Sequence, residues 1–304
     1  MVRFEHGFET VNNNNNEGTR TIKSVLITGG SGYLGQALTR RFLLLGFTRI
    51  CIFSRDEHKQ ARMRAEFNDD PRLRFFIGDV RDRDRLIRAM AGVELVVHAA
   101  ALKRIEVGAY APDEVVKTNV LGTMEAIEAA FQAHVDRFIY VSTDKAVEPI
   151  SPYGQTKAVA ESLVLRANEY AQGPDFRVVR YGNIAGATGS VIPKWREAIA
   201  NDKPLIVTDL MATRFWMTIE EAVDLVEHAA TSEDVPCDNS VFIPENQRAY
   251  QLRDLYLAMA DGIPYVLTGL PPHEKLHEKL AINLSSADAR HMTVSELREA
   301  LAHV

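Results

Sequence analysis

The sequence predicts an α/β protein, a doubly wound parallel sheet with helices on both faces, followed by a smaller α/β lobe. Three observations carry this expectation. From residue 24 onward, short continuous apolar runs alternate with amphipathic segments. The first run ends in a glycine-rich turn, Gly29-Gly30-Ser31-Gly32-Tyr33-Leu34-Gly35. After Tyr181 the rhythm loosens into shorter and less regular pieces.

Strands buried on both faces read as unbroken apolar runs rather than as alternating ones. Such runs fall at 24–28, 49–54, 73–78, 95–100, 137–142 and 177–181. The segments between them have helical spacing at 33–45, 57–66, 82–90, 112–133 and 153–170. In the lobe, helices are expected at 192–200, 219–229, 252–260 and 294–301, and strands at 205–208, 240–243 and 265–267. The domain expectation is therefore a leader over 1–22, a sheet domain over 23–184 and a lobe over 185–304, with some exchange of segments. The leader carries a run of five asparagines, Asn12 to Asn16, and nothing from which to build a core.

Composition narrows the partners. A net charge of -6 without a basic run argues against nucleic-acid binding. No apolar run approaches the ~18 residues a spanning helix needs, so no membrane partner is expected. Cys51 and Cys237 lie far apart and give neither a disulfide framework nor a metal spacing, which favours a reducing, cytoplasmic setting. Cys51, inside an apolar run, reads as a small buried hydrophobe.

The glycines at 29, 32 and 35 sit between a strand and a helix start. They allow a tight turn, close approach of backbone to a pyrophosphate, and phosphate contact with the free N–H groups of Tyr33 and Leu34. This is a Rossmann-type dinucleotide signature, with Ser31 inside the turn. Where a site preferring NAD places an acidic residue, the second strand ends in Ser54-Arg55; a hydroxyl and a guanidinium suit the 2′-phosphate of NADP, with NAD as the alternative. Asp79-Val80 is placed to bound the adenine, and Asp79 could also cap the following helix. Ala99-Ala100-Ala101 lets backbone approach the cofactor, and Lys103 and Asn119 are further candidates for its neighbourhood.

Tyr153 and Lys157 are four residues apart on one helical face. A lysine cation beside a phenol lowers the tyrosine pKa from about 10 and makes it a usable base toward an alcohol. Thr143 ends the fifth strand just upstream, and Asp144-Lys145 follow it, an acid and an amine beside the same substrate. Asp144-Lys145 could equally be a solvated ion pair in a turn, and Tyr153 with Lys157 a chance spacing.

These strings resemble the nucleotide-sugar branch of the extended short-chain dehydrogenase/reductases. Within it they are most similar to the UDP-N-acetylglucosamine 4,6-dehydratases, including the configuration-inverting enzymes of pseudaminic acid synthesis. The resemblance runs from about Ser24 to Glu278. It is carried by Phe53-Ser54-Arg55-Asp56-Glu57, Phe76-Ile77-Gly78-Asp79-Val80-Arg81-Asp82, His98-Ala99-Ala100-Ala101-Leu102-Lys103, Ser142-Thr143-Asp144-Lys145-Ala146, Arg180-Tyr181-Gly182-Asn183, Thr213-Arg214-Phe215-Trp216 and Glu274-Lys275-Leu276-His277-Glu278.

The resemblance implies transient oxidation at sugar C4 with Tyr153 as base, loss of water across C5–C6 with Lys145 as base and Asp144 as acid, and return of hydride to C6, with or without inversion at C5. It implies substrate contacts from Lys103, Asn183, Val191, Arg214 and Glu274, and a homo-oligomer, dimer or higher, paired through the segments 112–133 and 153–170; Arg214 could equally be held in an ordinary salt bridge of the lobe, and the two segments could simply pack on the sheet. Two departures concern nucleotide recognition. Pro271-Pro272-His273 and Ala187-Thr188-Gly189-Ser190 each lack an arginine that relatives carry. A C4 epimerase or a reductase on the same scaffold, and a non-catalytic NADP-binding protein, remain the competing readings.

Overall fold

The structure is a computed structural model that describes residues 22–170, 172–233 and 241–304. The leader and Cys237 lie outside the described residues. The first half alternates strand and helix: β1 (Ser24–Thr28), α1 (Tyr33–Leu44), β2 (Arg49–Ser54), α2 (Glu57–Glu66), β3 (Leu73–Ile77), α3 (Arg83–Met90), β4 (Leu95–His98), α4 (Ile105–Tyr110), α5 (Pro112–Val116), α6 (Gly122–Gln132), β5 (Arg137–Val141), α7 (Pro152–Ala167) and β6 (Asp175–Val179). The second half adds α8 (Val191–Ala200), β7 (Leu205–Val207), β8 (Thr213–Trp216), α9 (Ile219–Thr231), β9 (Val241–Phe242), β10 (Arg248–Gln251), α10 (Leu252–Met259), β11 (Tyr265–Leu267), β12 (Lys279–Ala281), β13 (Leu284–Ser285), β14 (Arg290–His291) and α11 (Val294–Leu301).

Among the described residues the main sheet has seven parallel strands in the order β3-β2-β1-β4-β5-β6-β9. Every residue of β1 and β4 is buried, as continuous apolar runs require when both faces are covered. One apolar core joins α1 and α9 to one face of the sheet, and a second joins α3, α6 and α7 to the other. A third core around Trp195, Leu205, Trp216 and Leu255 belongs to the second half. The parallel order reverses between β1 and β4, so the crevice beyond their carboxyl ends is where such a sheet takes a ligand.

The structure adds α4 and the short strands β8, β10, β12, β13 and β14 to the elements expected from the sequence, and it breaks one expected helix. Residues 112–133 are not one helix: a π-helical turn at Lys117–Leu121 separates α5 from α6. Its cause is tertiary. The Asn119 amide turns inward to bond both backbone groups of Leu102, at 2.8 and 3.0 Å, and Thr156 at 3.1 Å. Segments also cross between the halves: α9 and β9 come from the second half and complete the first-half layers. Buried Arg177 of β6 ties them in by donating to the Ala229 and Ser232 carbonyls.

The glycine turn is built by close approach. Gly29 has a positive φ of 68°, and a Cβ there would lie 3.0 Å from the Ala100 backbone at the end of β4. A Cβ at Gly35 would lie 2.4 Å from the Gly30 carbonyl oxygen. Gly35→Ala is therefore expected to cost about 1–3 kcal/mol through overpacking. Urea unfolding checks this, and an unchanged midpoint would mean that the turn relaxes freely.

Candidate active site

The cofactor-side residues converge on the switch point. The N-cap of α1 is Gly32, which offers no side chain, so the first-turn N–H groups, those of Tyr33 and Leu34 included, have no intrahelical acceptor and face the crevice end of the sheet. Ser31 donates to Ser54 at 2.9 Å, and Gln60 donates to the same hydroxyl, which pins the end of β2 to the glycine turn. The Arg55 side chain is half exposed, with its guanidinium 3.7 Å from Asp79. Ala99 and Ala100 bond back to Thr28 of β1, and Ala101 and exposed Lys103 continue toward α4. Val80 is buried.

Asp79 does not cap a helix; Asp82 does, accepting from the Arg85 backbone at 3.0 Å. Asp79 instead receives Arg81 through two side-chain bonds at 2.7 and 3.0 Å. Burial works against its charge, but Arg81 outweighs it and holds the carboxyl below its usual range. Asn119 commits its amide to Leu102 and Thr156 and so shapes the loop after β4.

The reactive groups lie beyond the carboxyl end of β5. Thr143 caps a one-turn 3-10 helix, Asp144–Ala146, and Ser151 caps α7, which carries Tyr153 and Lys157. Tyr153, Lys157 and Asp144 are all buried. Lys157 donates to the Val141 carbonyl at 2.6 Å and sits 4.0 Å over the Tyr140 ring. Burial lowers its pKa to about 7, with Glu161 opposing.

The expected depression of the Tyr153 pKa by Lys157 is not found. Burial pushes Tyr153 up to about 12; the opposing cation is Lys145, helped by a hydrogen bond with Thr143. His98 at the end of β4 is fully buried between Thr28 and Thr123, and burial lowers it to about 3, which keeps the imidazole neutral.

Lys145 is the centre of a charge cluster. Its Nζ lies 3.1 Å from Asp144 Oδ1, 3.2 Å from Asn183 Oδ1 and 3.3 Å from Glu278 Oε1. Three oxygens thus surround the three N–H groups of one ammonium. Burial alone would discharge Lys145, but Asp144 and Glu278 reverse this and raise its pKa. Asp144 goes the other way: burial raises it, Lys145 opposes, and Glu278 adds to the rise. Sequence reasoning gave Glu278 no role, because residues 145 and 278 meet only through the tertiary fold.

On the substrate side, Asn183 and Val191 line a recess with Ser190, Trp216 and Tyr250. Ser190 Oγ and Trp216 Nε1 are buried there without a hydrogen-bond partner. Arg214 does not offer a free fork. It donates to the Thr213 and Leu276 carbonyls and pairs with Glu274 at 2.8 Å. A buried guanidinium must satisfy its donors, so Arg214 and Glu274 hold each other and fasten the 274–278 segment over β8.

Fold and site together define a Rossmann-fold short-chain dehydrogenase/reductase of the nucleotide-sugar type. The chain belongs to the polysaccharide biosynthesis protein family, whose model matches residues 25–297. It is 40% identical over 276 residues to the inverting UDP-N-acetylglucosamine 4,6-dehydratase of Campylobacter jejuni, covering 89% of this chain and 80% of that one. It is 45% identical over 213 residues to a UDP-glucose 4-epimerase of Rickettsia felis, covering 68% of this chain and 62% of the relative. The crystal structure of Pen from Bacillus thuringiensis superposes with a TM-score of 0.85 at 31% identity, over 93% of this chain and 98% of the other.

The shifted lysine gives a pH test. Lys157 titrates at about 7 when folded and at about 10.4 when unfolded. The unfolded chain thus binds more protons between these values, and stability rises with pH across that window. Lys157→Met is expected to flatten the rise between pH 7 and 9, read by chemical denaturation. A parent and a variant with equal slopes would refute it.

Proposed function

We propose that this chain is a nicotinamide-dependent nucleotide-sugar 4,6-dehydratase acting on UDP-N-acetylglucosamine or a related UDP-sugar. The observation that carries the reading is the Asp144–Lys145 pair placed against Tyr153 in one buried site. Reversible oxidation of an alcohol needs the tyrosine and the lysine of α7. A buried acid touching a largely covered amine supplies the two further proton transfers that loss of water requires.

The residues fit a dinucleotide: the turn ends at Gly32, an N-cap without a side chain, so the first-turn N–H groups of α1 are left for an anion. In this reading the turn from Gly29 to Gly35 holds the diphosphate, Ser54 and Arg55 the adenosine ribose, and Val80 the adenine, while Ala99 to Ala101, Lys103, Tyr153 and Lys157 border the nicotinamide half. A bound nicotinamide would supply an acceptor for the hydride of sugar C4 and a donor of hydride to C6. Tyr153 borders the 4-hydroxyl and takes its proton as the phenolate, after its own phenolic proton has left. The C4 ketone acidifies C5–H, Lys145 removes that proton, and Asp144 protonates the departing 6-hydroxyl, which leaves as water. Lys145 acts as the neutral amine and Asp144 as the carboxylic acid, and their 3.1 Å contact sets the two groups side by side. Asn183, Val191 and the unpartnered Trp216 N–H form the sugar and diphosphate side. Reprotonation of C5 from the opposite face inverts that centre.

NADP is favoured over NAD because β2 ends in Ser54-Arg55, with a half-exposed guanidinium and no carboxylate at the strand end. A homo-oligomer is supported by exposed Val116, Leu121, Met124 and Val159 on α5 to α7. No helix among the described residues is long and apolar enough to cross a membrane, and we assign a cytoplasmic location. We also divide the chain at about residue 184, with α9 and β9 returning to the sheet domain.

Incubation with UDP-N-acetylglucosamine is expected to yield a product lighter by one water in mass spectrometry. An unchanged mass with a different sugar favours the C4 epimerase, a reading that the Rickettsia likeness supports. No turnover of any UDP-sugar favours a binding protein. Lys145→Ala should keep cofactor binding and lose dehydration by about 100-fold or more; dehydration at the parent rate would remove the base assignment. Arg55→Ala should weaken NADP about ten-fold or more, the loss of one charge-assisted bond, and leave NAD within about two-fold. Calorimetric titration with both cofactors decides this.

A further inference from the structure

Glu278 is buried, and its carboxylate meets more positive charge than Asp144 does. Oε1 is 3.3 Å from Lys145, and Oε2, without a hydrogen-bond partner, is 3.8 Å from Lys275. The buried Arg214 guanidinium on β8 acts on the same carboxylate. Asp144 has Lys145 as its one ion-pair partner among the described residues. Its Oδ2 is also without a hydrogen-bond partner and is closed in behind Gly182, where a Cβ would lie 3.2 Å away.

Two carboxylates therefore compete for one shared ammonium. A bare anionic oxygen in a closed apolar space is costly, whereas a protonated one is not. The site is cheapest when the carboxylate with several cations stays ionised and the other keeps a proton. The remaining groups facing the cluster are the phenols of Tyr153 on α7 and Tyr250 on β10, both pushed up to about 12 by burial and hence neutral.

We propose that Glu278 is a positioning residue for the dehydration step: as the ionised counter-ion of Lys145, it leaves Asp144 in the acid form that the departing hydroxyl needs. The inference rests on the dehydratase reading. The directions of titration agree with it. Burial would raise Glu278, but Lys145, Arg214 and Lys275 together hold it low, while Asp144 is raised, in part by Glu278. Asp144, Lys145 and Glu278 titrate as a set, so the observable is the pH profile of the set.

The test is Glu278→Gln, which keeps shape and removes charge. Without Glu278, Asp144 becomes the counter-ion of Lys145 and ionises at lower pH, and Lys145 loses its proton at lower pH too. Both limbs of the kcat profile should move down by about one unit, and kcat at pH 8 should fall about ten-fold or more. KM should stay within about three-fold, and the C4 oxidation half-reaction, read as nicotinamide absorbance in a single turnover, should persist. Unmoved limbs, whatever the loss of rate, would overturn the proposal, as would loss of C4 oxidation together with dehydration. Glu278→Asp, which keeps the charge, should retain the parent limbs; limbs displaced as far as those of Glu278→Gln would also overturn it.

If Glu278→Gln does not fold, the parent protein decides. The infrared difference between parent and Asp144→Asn at neutral pH should contain the carbonyl stretch of a protonated carboxyl, and its absence would sink the idea. That measurement needs no turnover. A parent that dehydrates no UDP-sugar counts against the proposed function, whereas a parent that dehydrates without the infrared band counts against the role of Glu278 alone.

Discussion

Lys145 carries a positive charge into a space that water barely reaches, and a buried charge persists only where it is matched. The match comes from two directions. Asp144 is its neighbour in the chain, and Glu278 arrives from the far end of the second half. Glu278 is in turn held by a polar chain: its backbone N–H donates to Ser286, and Ser286 and His277 both bond Thr213 of β8. Arg214, the next residue on that strand, clasps Glu274. The second half is thus fastened over the sheet at the place where the reactive lysine needs its counter-charge.

The sheet supplies the other half of the geometry. Reversal of strand order between β1 and β4 opens the crevice, and the glycine turn lets the backbones at Gly29 and Ala100 come almost into contact. His98, neutral because it is fully buried, links Thr28 of β1 to Thr123 of α6 just beneath that crevice. The next strand, β5, ends in the turn that carries Thr143, Asp144 and Lys145, so cofactor side and proton-transfer side are adjacent strand ends of one sheet.

Much of this was legible in the amino-acid order. Apolar runs marked the first six strands within about two residues, because strands buried on both faces have no polar alternative. The glycine turn and the Tyr153–Lys157 spacing were readable because each is local. What was not legible depends on long-range contact. The interruption at Lys117–Leu121 is imposed by Leu102, which no helical periodicity reports. The inward turn of Arg214 depends on Glu274, sixty residues away. The small strands at 248–251, 279–281, 284–285 and 290–291 are too short to leave a pattern. Glu278 lay in a string that matched the family, yet nothing near it in sequence pointed to Lys145.

The placement of β9 bears on how the molecule is made. Val241 and Phe242 pair with Val178 and Val179 of β6, and α9 packs against α1 near the start of the chain. During synthesis, at about 5–20 residues per second, the ribosome must deliver some sixty residues beyond β6 before that strand gains its outer neighbour. Until then β6 is an apolar edge with unpaired backbone, the kind of surface that recruits other strands. The interval is a few seconds long, and it is the stretch of this protein's life in which aggregation and chaperone capture compete with folding.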